Sequence, residues 1–591
     1  MFCRCRQVAA SAASGPALRP LAMLLLLALL GLVLLVPRAQ ARLGSSAPLD
    51  APAAQSVDGR LAHLQQLAQV GLDLKARLRA AAGGVQPVPR FLPLSSAGHQ
   101  LISLGERLEG LKAAVGQAQA SGLAAGEQDF VSRLGGMTQN EPSVAWCGAS
   151  AVIGFNDSSS FARKLLGPIS TSNNFSSLGW SRSADAGATF PTTGTLVPDP
   201  LPAGIAFRDL LGRPVVGCSS STTFYYASFA IDSDPSGIAT GVAISRSADG
   251  GQTWGGAVMA VRKSLGGHFL DSPWLAVAPG PTPGSDVLHV TYVDLDFTGA
   301  ACPNRGFRMA LEYVRSVDGG ATWGAPVVIE AGCGFAALPE APQVRAGLGN
   351  DVFVAWERFG LMGSREIRLS KSTDGGSSFG PAMVVGPVTP VGDGWRLQGQ
   401  FRASFNLHGL AVDRSTGPHR GTVYLAWHDG RNLSRPDPLS FVQCQAAPVP
   451  GYCFGDILVA RSVDGGATWL APVRVNDDPI TLAADQFMPA LAVDPTGKVF
   501  AFFYDRRRDA RNWWIDAYLA SSTDGGLTWT NTQVTQTSFP PLTGWQDIFM
   551  SPSSLGEYVG IAADTTQENA GVVVAWADTS LGDANFQSAR R

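Results

Sequence analysis

"RSVDGGATW" stands at 315–323 and again, letter for letter, at 461–469. Four looser copies read "RSADAGATF" (182–190), "RSADGGQTW" (246–254), "KSTDGGSSF" (371–379) and "SSTDGGLTW" (521–529). A catalytic sequence is normally used once, whereas a sequence used six times is a building part. The motif serines are 64, 69, 56, 90 and 60 residues apart, and each step is long enough for four short strands with their turns.

The motif has a mechanical reading. Asp followed by Gly-Gly is a tight hairpin turn, in which Gly supplies positive φ and the carboxylate accepts N–H groups of its own loop. The Ser and Thr hydroxyls close the remaining local bonds. The Trp or Phe then enters the next strand as a large apolar plug. Read this way, Asp185, Asp249, Asp318, Asp374, Asp464 and Asp524 are turn architecture rather than catalytic carboxylates.

These copies resemble the Asp-box, or BNR, repeat of the sialidase superfamily over roughly residues 138–591. The resemblance implies an all-β chain, a β-propeller of four-stranded blades with each box between the third and fourth strands. The strand pattern supports this. Apolar strands ending in an aromatic and an acid recur as "VIGFND", "LHVTYVD", "VYLAWHD", "AFFYD" and "VVVAWAD", with looser versions "FVAWER" and "FYYASFAID". Upstream of these lie "EPSVAW", "RPVVG", "SPWLAV", "APQVR", "HGLAVD", "MPALAVD" and "YVGIAAD". Seven such strand pairs against six boxes favour seven blades, with six as the alternative. "ANFQSARR" (584–591) reads as the third strand of the last blade, and "EQDFVSRL" (127–134) as the strand that closes the ring.

The chain of 591 residues is 45% hydrophobic with net charge −3, which argues against a nucleic-acid partner. Its start reads as a signal peptide over 1–41, with Arg4, Arg6 and Arg19 before "LAMLLLLALLGLVLLV" (21–36) and "AQA" at 39–41. The reading is a secreted, periplasmic or cell-surface protein, membrane-attached only if that apolar run stays uncleaved. Residues 42–126 read as a helical or flexible region, with helical stripes in 61–78 and 101–115, and no chemistry is assigned to it. The propeller is assigned to 127–591. Six Cys remain beyond the leader, an even number that fits disulfides. Cys444 and Cys453 close a short Pro-rich loop, and Cys147/Cys218 and Cys302/Cys333 are the other pairings favoured, although sequence does not fix connectivity.

Strand 3–4 turns lie on one face of a propeller, and functional loops on the other. Glu141, Asp271, Glu340, Asp485 and Glu557 stand at the entrances to the innermost strands and would ring the channel mouth. Their repulsion is relieved by Arg partners, by protonation, or by a hard cation such as calcium; salt bridging is favoured and no metal site is assigned. Loops of units four to six carry Arg358, Arg365, Arg431, Arg435, Arg506, Arg507, Arg508 and Arg511. Arg358, Arg431, Arg506 and Arg507 are taken as the ligand-binding set, because a guanidinium grips a carboxylate with two bonds; Arg431 and Arg506 stand at like positions in neighbouring units. The insertion at 431–455 adds Phe441, Tyr452 and Phe454.

A sialidase of this superfamily uses three Arg, a Tyr nucleophile with a Glu, and an Asp acid/base. The resemblance carries those roles to Tyr558, Glu557 and Asp271. The Arg-Ile-Pro stretch expected before the first box is absent, and true sialidases have six blades. The chain is closer to exported bacterial sialidase-like BNR-repeat proteins. It therefore reads as a propeller binding an extracellular ligand, a glycan by preference. The alternatives are a sialidase-type glycoside hydrolase and a scaffold for a cell-surface protein.

Overall fold

Strands such as Val572–Asp578, "VVVAWAD", are buried at every position, because a blade inside a ring is covered on both faces. A computed structural model of the chain describes residues 57–82, 94–120, 138–160, 174–282, 284–303, 305–360, 364–392, 396–398, 401–402, 407–436, 451–541, 555–580 and 584–591. The chain divides into two compact units, Met1–Ala53 and Ala54–Arg591. The first unit, which holds the expected signal peptide, lies outside the described residues, as does the expected closing strand at 127–134.

The second unit is a seven-bladed β-propeller. Its innermost strands are Gln139–Cys147, Val215–Cys218, His268–Ala278, Ala337–Ala346, Leu407–Val412, Gln486–Val493 and Gly560–Ala563. Each opens an antiparallel blade. In blade two the innermost position is split between Phe207–Leu210 and Val215–Cys218, both paired to Phe224–Asp234. Among the described residues, blade seven has three strands, ending in Asn585–Arg590. It closes the ring against blade one, where Val573 and Ala575 pack on Trp146, Ile153 and Phe155. A disulfide, Cys147–Cys218, ties the innermost strands of blades one and two, and Cys302–Cys333 lies within blade three. Cys453 is disulfide-bonded as well, but Cys444 lies outside the described residues.

All six repeated turns join third to fourth strands. Asp318 accepts the Thr322 N–H at 2.9 Å and the Ser316 hydroxyl at 2.7 Å, and the Gly320 N–H donates to Ser316 Oγ at 2.8 Å. Gly319 and Gly320 have φ of 67° and 89°, which only glycine adopts without strain. The same Ser–Asp–backbone set recurs at Asp185, Asp249, Asp374, Asp464 and Asp524. The Arg opening a motif reaches the turn of the next blade. Arg182 donates to Gly250 O at 2.7 Å, Arg315 to Gly375 O at 2.6 Å and Arg461 to Gly525 O at 2.8 Å. The repeated turns therefore also staple blades together.

Two helices precede the ring, α1 (Val57–Ala82) and α2 (Ser96–Ala120). They cross closely. A Cβ on Gly71 would lie 2.0 Å from Leu101 O, and one on Gly105 2.7 Å from Ala68 O. Their apolar stripe, with Leu64, Leu67, Leu74, Leu78, Leu101 and Ile102, shares one core with Phe229, Phe269, Phe307 and Leu338 of blades two to four. The hairpin thus covers the propeller face opposite the repeated turns. No described helix is long and apolar enough to cross a membrane.

Candidate functional site

The innermost strands enter the ring through a recurring bulge. The ladder slips between Asn140 and Ser143, Asp271 and Trp274, Glu340 and Gln343, and Phe487 and Ala490. Glu141, Ser272, Ala341 and Met488 at those slips, and Arg213 in the break of the split strand of blade two, have φ between 48° and 59°, and each is followed by Pro. Left-handed backbone at a non-glycine residue is strained, so the ring holds these residues in place. Glu141, Asp271 and Glu340 stand at these slips, Arg213 and Glu557 stand just ahead of the innermost strands of blades two and seven, and all five are buried.

Arg213 is the hub of that cluster. Its Nη1 donates to Glu557 Oε2 at 2.5 Å, and its guanidinium lies 5.2 Å from the centre of the Tyr558 ring. Burial alone would lower the Arg213 pKa, but Glu557 and Glu141 outweigh it and hold the side chain firmly charged. Glu141 accepts the Glu557 N–H and the Asn156 side-chain amide, both at 3.0 Å. Asp271 accepts the Ser95 N–H at 2.7 Å, together with the Ser95 hydroxyl, just ahead of α2. Glu340 Oε1 has no hydrogen-bond partner among the described residues. Burial first, then the carboxylates of Asp271 and Glu557, push the Glu340 pKa well above the usual carboxylate range. Tyr558 donates its hydroxyl to Pro214 O at 2.8 Å, and burial keeps the phenol protonated. Glu557 and Tyr558 therefore meet on Arg213, beneath the helical hairpin.

Asp485 stands apart from this ring, two residues before Phe487, and serves a second cluster. It accepts Tyr452 Oη and Asn512 Nδ2, both at 2.6 Å, and the Gly455 N–H at 3.1 Å. Arg506, fully buried, lies 3.6 Å from Asp485 and donates to Gln398 O at 3.0 Å and Asn512 O at 2.9 Å. This network braces the loop after the second strand of blade six. Asp509 holds the tip of that loop by accepting the Trp513 and Trp514 N–H groups, both at 2.9 Å. The result is an open cleft of about 420 Å³ lined by Gln398, Phe454, Arg511, Asn512, Trp513 and Trp514. Trp514 is 43% exposed. Among the described residues the Arg511 guanidinium has no ion pair.

The four arginines singled out from sequence all have protein acids. Arg358 pairs with Glu330 at 3.0 Å, Arg431 with Asp429 at 2.7 Å, Arg506 with Asp485 at 3.6 Å and Arg507 with Asp505 at 2.7 Å. Arg431 and Arg506 hold different acids rather than a shared one. Asp429, Asp505 and Asp578 cap the turns that follow them, accepting the N–H two residues on at 2.9, 2.7 and 2.7 Å. Sequence reading missed Arg213 and the tryptophan pair. The signals were the Arg opening "RPVVG" at the position of Glu141, and "RNWWID" (511–516), two adjacent Trp in a loop. No group of three or more metal-ligating side chains is gathered among the described residues.

No protein-family model matches the chain, and no curated protein matches it. Solved structures similar to it include the Hadza microbial sialidase Hz136, at 14% identity over 70% of this chain and 73% of that one, TM-score 0.38. A protein of unknown function from Dyadobacter fermentans matches at 17% identity over 62% and 90%, TM-score 0.36. An ulvan lyase of a polysaccharide lyase family matches at 9% identity over 77% and 93%, TM-score 0.42.

Proposed function

We propose that the protein is an exported propeller of the Asp-box type that binds an acidic glycan in the cleft between blades five and six. The carrying observation is the chemistry of that cleft. Trp513, Trp514 and Phe454 offer flat apolar faces for sugar C–H surfaces, Asn512 and Gln398 offer amides, and Arg511, without an ion pair among the described residues, offers a cation. The disulfides fit an oxidising compartment. A sialidase-type hydrolase would need Tyr558 and Glu557 open to substrate, and both are buried and engaged under α2.

The test is binding to an acidic and a neutral glycan, measured by calorimetry, beside hydrolysis of a fluorogenic sialoside. Trp514→Ala is expected to weaken both ligands about tenfold or more, as loss of a stacking surface does. Arg511→Gln is expected to weaken only the acidic one. Unchanged affinity in both variants overturns this site. Turnover by the wild type that Tyr558→Phe abolishes replaces binding with hydrolysis as the function.

A further inference from the structure

Below the acid cluster, the channel itself carries an unanswered cation. Its cavity of about 210 Å³ is lined by residues of all seven blades. Four residues beyond each strand entrance the wall reads Ala145, Gly217, Ala276, Arg345, Val412, Ala492 and Ala562. Six small or apolar residues surround one arginine at this level, so the guanidinium has the lumen to itself. It donates to Val344 O at 3.0 Å, and its Cζ lies 5.7 Å from the centre of the Trp274 ring. Among the described residues it makes no ion pair. It is half-buried in the narrow lumen, and the partial loss of water lowers its pKa to about 10.

Trp274 lines the same lumen, packed edge-on against Tyr558 with ring centres 5.5 Å apart. Its indole N–H is buried and has no hydrogen-bond partner among the described residues. A buried donor left unpaired costs free energy unless something accepts from it, and a half-buried guanidinium without a counter-charge attracts an anion. Among the described residues lining the cavity the one acid, Asp564, already accepts the Gly148 N–H at 2.8 Å, the Thr566 N–H at 2.9 Å and the Asn569 side-chain amide at 2.7 Å. At the far end Arg414, exposed, adds a second positive charge at the mouth on the repeated-turn face.

We infer that the central channel is a binding site for a small monovalent anion, held between Arg345 and the indole N–H of Trp274. The anion enters past Arg414, from the face the helices leave open. The lumen takes a halide or a small carboxylate with a few waters, each water needing about 10–15 Å³ of such space. The site is separate from the cleft of blades five and six, so either stands without the other.

The test titrates bromide, and separately acetate, into the full chain at constant ionic strength, with bulky gluconate as the balancing anion. The wild-type melting temperature is expected to rise saturably with bromide or acetate, and bromide anomalous diffraction is expected to show one peak beside Arg345 and Trp274. Arg345→Met should lose the anion dependence, with at least a tenfold drop in affinity, and Trp274→Phe should weaken it. A wild type indifferent to both anions, or with bromide bound only elsewhere, overturns the proposal. So does an Arg345→Met variant with wild-type dependence. If Arg345→Met does not fold, the wild-type diffraction and Trp274→Phe decide.

Discussion

Asp318 shows what one residue of the repeated turn contributes. Its hydrogen bonds from Thr322 and Ser316 outweigh its slight burial and hold its carboxyl down to about 2. The unfolded value is near 3.9. The folded pKa is depressed, so this stabilisation is complete above about pH 4 and is lost as pH falls through about 2. Asp185 behaves alike, also held down to about 2, with its bonds to Ser183 and Thr189 as the largest causes. Both sites face water, which discounts the electrostatic part. Asp318→Ala is expected to cost about 1 kcal/mol near neutral pH through the N–H groups it strands. The gap in melting temperature between variant and wild type should narrow at pH 2, where the wild-type carboxylate is itself being protonated. Paired melts at pH 7 and pH 2 check this, and a gap that widens in acid contradicts it. The turn was legible in sequence because its bonds close within nine letters. The reach of Arg315 to Gly375, 60 residues away, has no local signature.

At the scale of elements, the blades were legible because a propeller repeats its parts, and repetition survives divergence of any single copy. The split first strand of blade two broke that rhythm. There Arg213 takes the place held by Glu141 in blade one, and only the folded ring sets it against Glu557. The helical stripes were legible as helices, but where they dock was not, since docking depends on Phe229, Phe269 and Phe307 being unsatisfied on one face. Blade order also sets how much each disulfide does. Cys147–Cys218 spans 71 residues and joins two blades, whereas Cys302–Cys333 spans 31 within one. Chain-entropy reasoning gives the longer link about 4 kcal/mol and the shorter one somewhat less. The Cys147→Ser/Cys218→Ser double variant should therefore melt below the matching Cys302→Ser/Cys333→Ser variant. Calorimetry without reductant reads the order directly, and the reverse order would mean that tying neighbouring blades adds little to a ring already closed by packing.

For the whole molecule, the open question is whether the helices and the propeller are one cooperative unit. Sequence sets residues 42–126 apart, with different composition and no repeat. The structure joins them to the ring in two ways. Leu64, Leu67, Leu74 and Leu78 enter a core shared with blades two to four. Two polar links then fix the register, the part-buried His63 to Asp209 at 2.8 Å and the buried Ser95 N–H to Asp271 at 2.7 Å. Burying a large apolar side chain contributes about 1.5–3 kcal/mol, and a domain's whole margin is about 5–15 kcal/mol. Four leucines are thus enough to decide whether the face under the hairpin stays folded. Leu78, with no exposed surface, is the sharpest probe. Leu78→Ala is expected to cost about 2–4 kcal/mol, and to move the main melting transition rather than add a minor one. If the hairpin were an independent module, the variant would melt in two steps, with the propeller transition where the wild type has it. A single transition shifted down by several degrees, in scanning calorimetry of the full chain, is the outcome that one shared core requires.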